Sequence, residues 1–303
     1  MGNTPASRRC PRCEQGAPTD VGGHTLPANR AGYPNSELDQ DHSEDAGFNR
    51  IDLLTVFAGL ALLCLVLTPA LARTRVIDQG LQCRNNLRQL IQGWQMYADE
   101  NVGTLPNCFT WVYGSMSYSA SDADNTNINY LLNGSLGPYV TDPALYKCPA
   151  DMSRAYTRTS SVPRVRSVSM SQALCPSNEG ALEAANSPPN YWRHYQKSAD
   201  IVLPAPANLW VIIDEHPDSI NDGAFAVAMA GNNPSSDRWQ EMPSILHDGG
   251  CGITFADGHA EIHKWEDSRT LALKVAYNNF PYGITSPNNN DIQWVKDRTT
   301  APK

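Results

Sequence analysis

A chain of 303 residues with 23 Lys and Arg against 31 Asp and Glu is mildly acidic. That balance supplies no basic surface for nucleic acid, so nucleic acid is not expected as a partner. The 8 cysteines are too scattered for a disulfide-built miniprotein, and the apolar content is that of an ordinary globular protein.

Residues 1–47 are rich in Pro, Gly, Asp and Glu and poor in large apolar side chains, the composition of a disordered leader. Within it, Cys10 and Cys13 form a single CxxC with no second pair to complete a zinc ribbon, and read as incidental. From Leu53 to Ala72 come 20 residues without a charge, LLTVFAGLALLCLVLTPALA. At about 1.5 Å per residue such a helix covers roughly 30 Å, the hydrocarbon thickness of a bilayer. The run starts too far into the chain for a secretory signal peptide. It predicts a transmembrane helix over 48–72, in which Cys64 serves as a small hydrophobe.

The next segment, 73–101, keeps helical period but gains a polar face. Val76, Cys83, Leu87, Leu90, Ile91, Trp94 and Tyr97 recur on one side, as expected of a helix packed on a sheet. Asp99-Glu100-Asn101-Val102-Gly103 supplies the stop. The remaining residues, 102–303, predict a globular domain of short strands and loops. Segment 107–129 reads as a long excursion rich in Ser, Asn and Asp. Strands are expected at 166–171, 209–213, 224–228, 252–256 and 260–265, the last two joined as a hairpin through Asp257-Gly258. The fold class is therefore α+β: a long N-terminal hydrophobic helix packed on a small antiparallel sheet with long loops. Five cysteines follow the apolar run, Cys83, Cys108, Cys148, Cys175 and Cys251, so at least one is left over from any internal pairing, and spacing does not fix the pairs.

Several residue types invite metal. His247, Asp257, His259 and His263, with Asp214, Glu215 and His216, offer imidazole and carboxylate ligands suited to zinc and its neighbours. On the expected hairpin, His259, Glu261 and His263 share a face. Asp214, Asp218, Asn221 and Asp222 offer oxygen ligands around a glycine turn, a candidate structural calcium loop, although the spacing is not that of an EF-hand. Against both stands a plainer reading, in which Asp214 and Asp257 cap turns and the histidines bond loop backbone. No HExxH, nucleotide-binding glycine loop or recognisable Ser-His-Asp set is present, so an enzyme is not expected.

Gly47-Phe48-Asn49-Arg50-Ile51-Asp52-Leu53-Leu54 resembles the processing site of type IV prepilins. The segment CRNNLRQLIQGWQMYADENVGTLP, the turn Cys148-Pro149-Ala150-Asp151, and His247 followed by nine residues and Asp257-Gly258 resemble a pseudopilin group with a C-terminal H-X9-DG region, here 247–258. That group is abundant in planctomycete and verrucomicrobial genomes. The resemblance runs from about residue 47 to the end. It implies cleavage after Gly47 by a prepilin peptidase and methylation of the new amine on Phe48. It also implies a register set by Asp52 at the fifth position of the processed helix, where the family usually has Glu, and a kink at Pro69. A carboxylate in lipid is costly and finds its compensation in the amine of a neighbouring subunit.

The partners implied are the inner membrane, the peptidase and other pseudopilin subunits of a type II secretion or type IV pilus-like complex. No cofactor is implied beyond the candidate calcium. Arg73 and Arg75 after the apolar run would by themselves keep the C-terminal domain in the cytoplasm. The resemblance instead implies a single-pass protein with that domain periplasmic or extracellular. Two other functions remain open: an anchored extracytoplasmic binding module that does not polymerise, and a metal-dependent enzyme.

Overall fold

A computed structural model describes residues 49–303 except 120–121, 157–158, 177–181, 183–190, 230–233 and 279–282, and leaves the side chains of 69–73 undescribed. Gly47 and Phe48, the leader and its two cysteines lie outside the described residues, as does the side chain of Pro69. The chain divides into two units, Met1–Thr55 and Val56–Lys303.

Helix α1 spans Arg50–Glu100, 51 residues. At its start the Asn49 N–H donates to Asp52 Oδ2 at 3.0 Å, satisfying one of the free donors that every helix N-terminus carries. Arg50–Thr68 has a mean hydropathy of 2.4 and none of it is buried, so among the described residues one helix is long and apolar enough to cross a membrane. Farther along, burial follows the helical period. Cys83, Leu87, Leu90, Ile91, Trp94 and Ala98 are all buried, while Val76 and Tyr97 are half-buried at the margin of this face. The helix closes as a Schellman-type turn, with the Gly103 N–H on the Ala98 carbonyl at 2.8 Å. Val102 occupies the left-handed position (φ 54°) that glycine usually fills.

The other elements are short. They are α2 (Asn129–Leu132), β1 (Arg154–Tyr156), β2 (Ser161–Pro163), β3 (Val168–Ser171), β4 (Trp210–Asp214), β5 (Ala224–Phe225), β6 (Arg238–Trp239), β7 (Gly250–Phe255), β8 (Ala260–Lys264), α3 (Ser268–Leu271), β9 (Ile284–Thr285) and α4 (Asn290–Thr299). The main sheet has five strands in the order β5-β3-β4-β7-β8, and two-stranded ribbons pair β1 with β2 and β6 with β9. The architecture is α+β. The sheet is mixed and not wholly antiparallel, because β5 pairs parallel with β3. Only Ala224 and Phe225 of the expected strand 224–228 join it. The hairpin β7–β8 turns at Asp257-Gly258, with Gly258 at φ +96°.

Strand registry decides which side chains meet α1. Val168 pairs with Asp214, Ile213 with Ile253, and Gly252 with Ile262. Side chains alternate along a strand, so Val168, Asp214, Gly252 and Ile262 share one face. That is the α1 face. A Cβ on Gly252 would lie 2.2 Å from Leu87 Cδ1 and 3.1 Å from Cys83 Sγ, so the helix rests directly on β7 where the side chain is missing. A disulfide, Cys108–Cys175, links loops 67 residues apart.

Candidate functional site

Four side chains from four separate places converge where α1 crosses the sheet. Cys83 comes from the buried face of α1, one turn before Leu87. Cys148 opens the turn Cys148-Pro149-Ala150-Asp151. Asp214 is the last residue of β4 and points to the α1 face. His247 lies in the tight turn that leads into β7. One ligand atom from each lies within 4.8 Å of all the others, and all four residues are buried. Cys148 Sγ is 3.2 Å from His247 Nε2, and His247 Nε2 is 3.8 Å from Asp214 Oδ2.

Backbone and hydroxyl bonds hold the group in place. The Cys148 N–H donates to Ser167 Oγ at 2.8 Å, and the same hydroxyl donates to Asp214 Oδ1 at 3.1 Å. The Ala150 amide bonds the Cys148 sulfur. His247 is fixed by its N–H on the Gly250 carbonyl and by Lys264 Nζ donating to its own carbonyl at 2.5 Å. Asp214 Oδ2, fully buried, has no donor in full hydrogen-bonding geometry and looks into the cluster, with the Cys148 thiol and the Ser244 hydroxyl as weak partners of the carboxyl.

Burial is the largest influence on the protonation of Asp214, Cys148 and His247. It pushes the Asp214 carboxyl up to about 7, with the Asp151 charge adding to the effect. It raises the Cys148 thiol well above its usual range. At Cys83 the hydrogen bond with Cys148 pulls the thiol down, but burial and the Asp214 charge together push it up. Burial, then Lys264, lowers His247 to about 4, so the imidazole is neutral near pH 7 and free to act as a ligand. The Gly80 edge of His247 borders a groove of about 910 Å³ lined by Val76, Ile77, Leu81 and Ile262, which gives the cluster a route to solvent.

Of the metal-ligating residues expected from sequence, Asp214 and His247 meet here and the rest go elsewhere. Asp257 accepts from the His259 N–H and Nδ1 at the hairpin turn, at 3.1 and 2.5 Å, which is the turn-capping role. His259 stacks on Phe255. His263 stacks on Trp294 and lies 3.7 Å from Glu261. Of the expected calcium loop, Asp214 turns to the α1 face and takes the Ser167 hydroxyl, and the other three residues each face a different protein donor. Asp218 accepts from Tyr118 Oη and the Ala276 N–H, Asp222 from the Ala224 N–H, and Asn221 from the Asp222 N–H. Asp214 caps no turn, since it is a strand residue facing α1. Sequence reasoning placed Cys83 among core hydrophobes and Cys148 in a turn. The available signal was the cysteine count, since two of five main-domain thiols form the disulfide and Cys83, Cys148 and Cys251 stay free.

The sequence matches no protein-family model, and neither a curated protein nor a solved structure matches it.

Proposed function

We propose that the chain is a non-enzymatic, pseudopilin-like structural subunit. Residues 50–68 sit in the inner membrane, the α+β domain lies on its outer side, and the apolar helix packs with helices of other subunits in a secretion or pilus-like complex. The observation that carries this reading is α1 itself. Its first part is apolar all round with no residue buried, and in the same helix residues 83–98 form part of the domain core. An apolar surface of that size in water is unfavourable, so lipid or like helices must cover it. The Cys108–Cys175 disulfide suits an oxidising compartment and supports an extracytoplasmic domain. The order of the prepilin-like and H-X9-DG motifs supports the same assignment.

A second reading is favoured by Asp52. Its carboxylate already accepts the Asn49 N–H, so it is explained as a helix-start cap without any neighbouring subunit. The chain would then be an anchored binding module that does not assemble.

Asp52→Asn separates the two, because Asn keeps an acceptor for the Asn49 N–H but loses the charge. In a host with the peptidase, the assembly reading expects a mature chain starting at methylated Phe48. It also expects helix-to-helix crosslinks between copies that Asp52→Asn removes while the protein stays in the membrane. An unprocessed chain with no such crosslinks in wild type would sink the assembly reading and leave the anchored module.

A further inference from the structure

We propose that Cys83, Cys148, Asp214 and His247 hold one structural zinc ion that fastens α1 to the sheet. A tetrahedral zinc with spokes of about 2.0–2.3 Å places its ligands about 3.3–3.8 Å apart. Two of the pairs here are 3.2 and 3.8 Å apart, and no pair exceeds 4.8 Å, so small rotamer movements close the tetrahedron. Two sulfurs, an imidazole nitrogen and a carboxylate oxygen form a donor set for zinc, in contrast to the all-oxygen sets of calcium and magnesium.

The independent observation is the orphaned carboxylate oxygen. Asp214 Oδ2 is buried, has no donor in full hydrogen-bonding geometry although the Cys148 thiol and the Ser244 hydroxyl act weakly on the carboxyl, and faces two thiols and a ring nitrogen. A bound cation gives that oxygen a partner, and the two thiols lose their protons to solvent as it binds. Four protein ligands leave no open position for a substrate, so the site is structural and not hydrolytic. Ser167 and the Ala150 amide already act as the outer shell that orients metal ligands. The inference is independent of helix assembly and holds for either reading of the whole protein.

Cys251 is the internal control. It is buried one residue before Gly252, and by strand alternation it points away from α1. The experiment uses the full chain, extracted in detergent from membranes and purified without chelators. Elemental analysis should find about one zinc per chain. In the folded protein, Cys83 and Cys148 should resist alkylation until a strong chelator strips the metal, with no reductant needed. Cobalt loaded in its place should give thiolate-to-cobalt charge transfer and the intense visible bands of a tetrahedral site. Cys251→Ser should keep the zinc, and Cys83→Ser and His247→Ala should lose it. Because those two variants can fail to fold, the wild-type cobalt spectrum and alkylation pattern decide the matter without them. A metal-free chain that takes up neither zinc nor cobalt would overturn the proposal, whether Cys83 and Cys148 are then found as a disulfide or as open thiols. Loss of zinc in Cys251→Ser with retention in Cys83→Ser would overturn the ligand set.

Discussion

Glu241 enters the interior beside a second buried acid, Glu215, and a buried arginine, Arg166. Glu241 Oε2 accepts the Ala226 N–H at 2.5 Å, and Glu215 takes the hydroxyls of Ser169 and Ser219 at 2.6 and 2.8 Å. Arg166 donates mostly to backbone carbonyls, those of Val168 and Asp222 among them. Burial is the main reason Glu241 titrates high, at about 8, and the same cause lowers Arg166 to about 10. The folded state therefore keeps a proton on Glu241 that the unfolded chain releases near the ordinary glutamate value of about 4.3. Stability from this group is complete below that value and is lost as pH rises through about 8. Glu241→Gln is neutral at every pH and keeps an acceptor for the Ala226 N–H. It is expected to match wild type near about pH 4 and to be more stable by on the order of 1–3 kcal/mol near about pH 9. Urea unfolding at the two pH values checks this. A variant less stable than wild type at the higher pH would show that Glu241 is ionised and paired in the fold.

Helix α1 is the element that the domain is built around, and Leu90 sits at the middle of its inner face, fully buried. Leu90→Ala removes that side chain and leaves a cavity between helix and sheet, at an expected cost of about 2–5 kcal/mol. Met96, half exposed on the same helix, should change stability by less than about 0.5 kcal/mol when cut to Ala. Equal losses at both positions in chemical unfolding would contradict the packing described here. Such a face was legible in the sequence because one apolar stripe on a helix needs only local spacing to be seen. The hairpin β7–β8 was legible for a similar reason, since Asp257-Gly258 marks the turn and alternation marks the strands. What local pattern does not carry is which distant segments meet. Strand β5 contributes two residues, too few to set a period, and pairs parallel to β3 across a long connection. Arg166 opens the expected strand 166–171, and nothing in that alternation shows that backbone carbonyls of Asn221 and Asp222 receive its guanidinium in the interior. The quartet had the same problem. Asp214 and His247 were recognisable by residue type, but Cys83 looks like any small apolar residue of the stripe until β4 and the turn after Tyr146 are brought beside it.

At the scale of the whole molecule, α1 carries both an apolar run long enough to cross a membrane and a face buried in its own domain. Leu60 lies near the middle of Arg50–Thr68, and half of its surface is exposed. An arginine near the centre of a spanning helix costs about 2.5–3.5 kcal/mol in insertion. A pair of them approaches the whole favourable transfer energy of a short apolar run, which a few tenths of a kcal/mol per Leu or Val supplies. Leu60→Arg with Leu63→Arg is therefore expected to move the chain from the carbonate-resistant membrane pellet to the soluble or degraded fraction. Met96→Arg places the same charge on a part of α1 where water is the solvent, and should leave the protein in the pellet. The contrast separates anchoring by the apolar run from adhesion by the domain. If the double variant stays in the pellet and is released only by salt, the domain binds the membrane surface by charge and residues 50–68 do not span it. If both variants behave as expected, one helix serves two solvents: lipid around its first part, and the interior of its own domain around its last.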